Sequence, residues 1–171
     1  MSELAAHIRD VPDFPKPGIL FKDIMPLLAD REAFRAAVDE LAEWSRPRAP
    51  DLVLGAESRG FILGGALAYE LGTGFVAARK PGKLPWRTVG VRYALEYGDA
   101  ELQLHEDAIQ PGMRVLIHDD LLATGGTSAA KVRLVEQLGG IVVGICFLVE
   151  LDFLHGRDVL AGHDVHALVH F

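Results

Sequence analysis

Asp119 and Asp120 stand side by side, followed by Leu121-Leu122 and then by Ala123-Thr124-Gly125-Gly126-Thr127. Adjacent carboxylates repel, and the local sequence gives the pair no structural purpose. They make chemical sense where a sugar diol or a divalent cation bridges or neutralises them. The Thr-Gly-Gly-Thr run opens a segment of helical pattern. Its glycines let the backbone wrap closely, its hydroxyls donate, and the free N–H groups of a helix start suit a phosphate monoester. Diol at one end and phosphate at the other describe a ribose 5-phosphate. A second feature is cationic: Arg79, Lys80, Lys83, Arg87 and Arg92 fall within fourteen residues that hold no acid, in a chain whose net charge is −7. Such a run fits a small, multiply charged anion. The overall charge argues against general binding of nucleic acid or anionic membranes.

The elements that must position these groups can be read from periodicity. After a short N-terminal helix, Pro12, Pro15, Pro17 and Gly18 break the chain, and residues 19–21 read as a brief extended piece. Residues 30–44 carry Phe34, Val38 and Leu41 at helical spacing. Strands are expected at 52–55, 75–78, 114–117, 141–148 and 165–169, and helices at 61–71 and 127–138, the latter stopped by Gly139-Gly140. This alternation predicts an α/β fold with a mainly parallel, twisted sheet flanked by helices, in one domain over residues 1–171. Ligands of such sheets gather at the carboxyl ends of the strands, which singles out 56–60, 79–83 and 119–127. Residues 83–110 break the alternation and read as a flexible β-hairpin hood, with strands near 89–96 and 101–104.

Other chemistries fit poorly. No G-x-x-x-x-G-K-[ST] occurs, and Gly72-Thr73-Gly74 precedes a strand instead of following one, so it reads as a helix stop. The longest apolar run, 141–149, is far short of the roughly 20 residues of a membrane span. Residues 1–10 carry Glu3 and Asp10 and lack a secretory leader's apolar core. Cys146 is alone inside that apolar run, so the expected setting is a reducing cytoplasm. His163, His166 and His170 suggest zinc only superficially, since two of them fall in a strand without ligand spacing.

The acidic-pair segment, 115–127, resembles the 5-phosphoribosyl-1-diphosphate (PRPP) signature of the type I phosphoribosyltransferases. Four further blocks resemble the adenine-specific branch of that family. Residues 13–24 (Asp-Phe-Pro-Lys-Pro-Gly-Ile-Leu-Phe-Lys-Asp-Ile) resemble its base-binding segment, and Glu57-Ser58-Arg59-Gly60-Phe61 its diphosphate loop. Residues 79–85 resemble its basic loop, and Leu95-Glu96-Tyr97-Gly98 its hood. The blocks run in order from about residue 11 to 150. His118, where the family usually has an aliphatic residue, and Trp86-Arg87 are departures. His118 is expected to be a partly buried histidine with a local hydrogen bond, the alternative being an effect on the pH dependence of the site.

The resemblance implies magnesium-dependent transfer of ribose 5-phosphate from PRPP to adenine, giving AMP and diphosphate in purine salvage. It assigns Arg59, Arg79, Lys80 and Lys83 to the diphosphate. Asp119 and Asp120 go to the ribose hydroxyls, and Ala123, Thr124, Gly125, Gly126 and Thr127 to the 5′-phosphate. Glu96 becomes a general base beside Tyr97. Adenine would lie against Phe21 and Leu121, its edge read by the backbone of Leu20 and Lys22. Magnesium would be held mainly through PRPP and diphosphate, with no protein ligand set of its own. A homodimer is implied, with neither nucleic acid nor membrane as partner. The alternatives are a phosphoribosyltransferase for xanthine, hypoxanthine or guanine, or a non-catalytic PRPP-sensing module.

Overall fold

The computed structural model describes residues 3–94 and 99–171, without the side chain of Ala94. In chain order the elements are β1 (Arg9–Pro12), β2 (Leu20–Asp23), α1 (Met25–Ala29), α2 (Arg31–Ser45), β3 (Leu52–Ala56), α3 (Gly60–Leu71) and β4 (Gly74–Ala78). There follow β5 (Thr88–Ala94), β6 (Asp99–His105), β7 (Arg114–Leu122), α4 (Gly126–Gln137), β8 (Ile141–Glu150) and β9 (Val165–His170). The N-terminal helix is a single 3₁₀ segment, Glu3–His7.

Five strands form a parallel sheet in the order β4-β3-β7-β8-β9, while β1–β2 and β5–β6 are separate antiparallel pairs. The central strands are apolar at successive positions because both faces are covered. Val53, Leu116 and Cys146 pack with Leu41 and Ala42 of α2 and with Leu67 and Ala68 of α3. Their chain neighbours Leu54, Ile117 and Phe147 pack on the other face with Leu134 and Val135 of α4 and with Leu102 and Leu104 of β6. The hairpin stem is therefore part of the core. Gly72, at φ 69°, ends α3, as its sequence context implies.

One boundary differs from expectation in a way that matters. The strand predicted to end at Ile117 continues to Leu122, so the acidic pair lies inside paired β7 and not in the segment after it. Asp119 is in register with Phe147, and Leu122 with Glu150. The ten-residue β8 supplies the partner that carries β7 this far. No helix among the described residues is long and apolar enough to cross a membrane.

Candidate active site

The carboxyl ends of β3, β4 and β7 bring most of the chemically distinctive residues to one end of the sheet. Successive strand residues face opposite sides, and the helices meet the two acids from opposite sides. Lys131 of α4 places its Nζ 2.7 Å from Asp119 Oδ2, and Arg59, at the start of α3, places its Nε 2.6 Å from Asp120 Oδ2. The pair is neutralised from within the fold, since each acid has its own cation. Gly60 makes the approach of α3 possible, since a Cβ there would lie 2.5 Å from Asp119 Oδ1. Burial raises the pKa of Asp120 to about 6; the Asp119 charge adds to this, against the opposing charge of Arg59.

After β7 the chain turns through Gly125, left-handed at φ 83°, into α4. A side chain at Gly125 would collide with the Gly156 carbonyl and with Val159, so only glycine fits this turn. No side chain caps the first turn of α4, which leaves its N–H groups directed at the loop. Residues 121–128, both acids, Ala56, Glu57 and Arg59 line one cavity of about 250 Å³. Beside it, Glu57, Ser58, Arg59, Lys80 and Asp120 line a second, of about 400 Å³. Glu57, Arg59 and Asp120 are common to both.

The basic run does not act as one patch. Arg79 binds Glu57, its Nε 2.7 Å from Oε2, and donates through its guanidinium to the Lys83 carbonyl. Glu57 also accepts from the Lys80 amide at 3.1 Å. Arg87 pairs with Glu106 and Arg92 with Glu101, both acids belonging to the returning limb of the hairpin. Lys80 lines the cavity beside Arg59.

Phe21, on β2, reaches the same end of the molecule. The Arg59 guanidinium stands 5.2 Å over its ring, and Phe14 meets it edge-on at 5.1 Å. Leu20 is exposed, and the Lys22 ammonium is drawn away to Asp10 and to the Phe171 ring. Glu96 and Tyr97 lie outside the described residues.

Against this geometry, residues 28–166 match the phosphoribosyl transferase domain. An adenine phosphoribosyltransferase of Desulfitobacterium hafniense is 57% identical over 165 residues, covering 96% of this chain and 95% of that protein. The chain belongs to the adenine phosphoribosyltransferase family. A family member from Thermotoga maritima is 56% identical over 98% of this chain and 96% of its own length. The crystal structure of the Thermoanaerobacter pseudethanolicus adenine phosphoribosyltransferase superposes with a TM-score of 0.97 at 53% identity, covering 99% of this chain and 98% of that one. The Saccharomyces cerevisiae enzyme, solved with an imino-altritol bisphosphate and adenine, gives 0.91 at 39% identity, covering 95% and 94%.

Within this phosphoribosyltransferase, sequence reasoning missed three residues that shape the site. Lys131 is wholly buried against the acids. Its signal was present: it precedes Leu134 and Val135 by three and four residues, on the apolar stripe of a helix. Glu57 was visible only as part of a motif, and its tie to Arg79 spans 22 residues. Tyr93 meets Thr127, oxygen to oxygen, at 3.4 Å and so joins the hairpin to the signature loop.

His118 makes a local contact of the kind expected but is more deeply buried than expected. It is fully buried, its Nδ1 lies 3.6 Å from Cys146 Sγ, and its Nε2 has no hydrogen-bond partner among the described residues. Burial lowers its pKa to about 4, and the Lys131 charge acts in the same direction against that of Asp119. The ring is neutral near pH 7, which speaks against the alternative of an effect on the pH dependence of the site. His166 stacks on Trp44, while His170 meets Asp152 at 2.8 Å.

Proposed function

We propose that this chain transfers the ribose 5-phosphate of PRPP to N9 of adenine, releasing diphosphate and forming AMP. The observation that carries the reading is the single cavity shared by the acidic pair, Arg59 and the whole signature loop, because ribose and 5′-phosphate need these groups contiguous. The names of the relatives, all adenine enzymes at high identity, support the choice of base.

In this reading the uncapped start of α4 binds the 5′-phosphate with Ala123, Thr124, Gly125, Gly126 and Thr127. Asp120 and Asp119 accept from the ribose hydroxyls and place negative charge beside C1′ as the C1′–O bond to diphosphate breaks. Arg59 and Lys80 face the leaving diphosphate, with Lys83 following in the loop that Arg79 anchors. Phe21 and Leu121 flank the base, and the N9 proton passes to Glu96, with Tyr97 beside it.

Both buried acids already have cationic partners, so the donor set fits a magnesium ion carried on the oxygens of PRPP instead of one caged by protein carboxylates. Bound there, magnesium would neutralise charge developing on the leaving diphosphate. We further propose a cytoplasmic setting and a homodimer.

A panel of adenine, hypoxanthine, guanine and xanthine with PRPP and magnesium tests the reading. AMP formation should exceed turnover of every other base. Faster turnover of guanine or xanthine would overturn the assignment of adenine, and PRPP binding without turnover of any base would make the chain a sensor.

A further inference from the structure

We infer that Lys131 is a positioning residue for the reaction: its ammonium fixes the Asp119 carboxylate in the orientation that receives the ribose. The inference rests on the ribose assignment of the acidic pair proposed above. Lys131 has no solvent exposure, although it carries one of the most strongly hydrated side-chain charges. Its Nζ has two partners: Asp119 Oδ2 at 2.7 Å and the His118 carbonyl at 3.3 Å. Both lie on β7, immediately before Asp120.

Stability alone gives little reason for this arrangement. A buried ion pair gains little over apolar residues of the same size, and the surrounding positions Ala130, Val132, Leu134 and Val135 are apolar. The geometry gives a better reason. The other Asp119 oxygen, Oδ1, accepts the Asp120 amide at 3.1 Å, so the carboxylate is held at both ends. Arg59 comes from α3 to Asp120 and Lys131 from α4 to Asp119, and neither cation serves both acids. Fixing each carboxylate separately lets two like charges stay adjacent with their faces toward one ligand. Without Lys131, Asp119 would be free to turn toward Arg59, and the two ribose hydroxyls would meet a disordered acceptor.

The test is Lys131→Met, of similar length but uncharged, together with Lys131→Gln, which keeps one N–H donor for Asp119. KM for PRPP should rise roughly 10- to 100-fold in the Met variant, the range of a lost charged hydrogen bond. The rise should be smaller in the Gln variant, with KM for adenine unmoved in both. In an Asp119→Asn background, adding Lys131→Met should change PRPP affinity less than twofold, because the lysine then has no carboxylate to position; that background also removes the unpaired buried charge that could prevent the single variant from folding. Folded variants with an unchanged KM for PRPP would overturn the inference. So would equal rises for both substrates, or a further large loss of PRPP affinity in the Asn background. Failure of the ribose assignment itself would show separately, as wild-type kinetics in Asp120→Asn.

Discussion

Two arginine–carboxylate pairs flank the proposed diphosphate position, and they have opposite electrostatic character. Arg59 meets Asp120 at 2.6 Å and Arg79 meets Glu57 at 2.7 Å, and each carboxylate side chain is 11% exposed. Yet Asp120 is a weaker acid than usual and Glu57 a stronger one. Burial pushes both upward. For Glu57 it is outweighed by the Arg79 hydrogen bond, the Lys80 amide and the charges of both residues. For Asp120 the next neighbour is another carboxylate, so burial and repulsion prevail over Arg59. Two contacts of equal length therefore serve different ends: Glu57 is a satisfied anchor, whereas Asp120 is held ionised at a cost that a bound ligand's hydroxyls and cations can relieve.

The sharpest way to break this comparison is Asp120→Asn. Loss of a charged acceptor for the ribose should lower kcat/KM for PRPP roughly 10- to 100-fold. Stability should move the other way. With its pKa raised from 3.8 to about 6, Asp120 contributes stability fully below pH 3.8 and loses that contribution as pH rises through 6. At pH 7.5 the variant should therefore melt at or above the wild-type temperature, with the advantage narrowing toward pH 4. Calorimetry across that range checks the sign; a Tm deficit that grows with pH would refute it.

Glu57→Gln probes the other pair, with a smaller kinetic effect and the opposite sign in stability. The lowered pKa of Glu57 means that its contribution is present above pH 4.5 and lost as the pH falls through its folded value. Because the pair is partly solvated, a Tm loss of about 2–4 °C at pH 7 is expected, closing in acid. The variant also unties the loop after β3 from the loop after β4, so KM for PRPP should rise several-fold, and more than KM for adenine. An unchanged KM would show that the basic loop holds its place without this tie.

The same contrast explains what the sequence made legible. The parallel sheet could be read because mainly apolar runs, separated by helical stretches with Gly at their ends, leave few other folds for residues 52–55, 114–117 and 141–148. The signature loop could be read because Asp-Asp and Gly-Gly are costly unless they bind something. The end of β7 could not, because local charge argues against a strand; pairing with β8, together with two cations from opposite layers, overrides it. Nor did the cationic run reveal that Arg79, Arg87 and Arg92 each face an acid, since those partners are 22, 19 and 9 residues away. Spacing shows which residue types stand near one another in the chain. It does not show which charges the fold has already satisfied.

The smallest effect should come from the hairpin stem, the third contributor to this end of the sheet. The Tyr93 hydroxyl reaches Thr127 at 3.4 Å, near the outer limit of a hydrogen bond. A neutral bond of that length is worth little, and the stem has other attachments. Val89, Val91 and Tyr93 pack against the core shared with α4, and Arg133 donates to the Arg92 carbonyl at 3.2 Å. Tyr93→Phe removes the hydroxyl and keeps the ring. KM for PRPP should rise only about twofold, at the low end for a neutral hydrogen bond, with Tm within about 1 °C of wild type. A tenfold rise would mean that the hydroxyl holds Thr127 against the phosphate, making the hairpin stem part of the binding site instead of a support beside it. The phosphate loop would then resemble the Glu57 anchor, fixed by distant residues, more than the self-contained helix start that its sequence suggests.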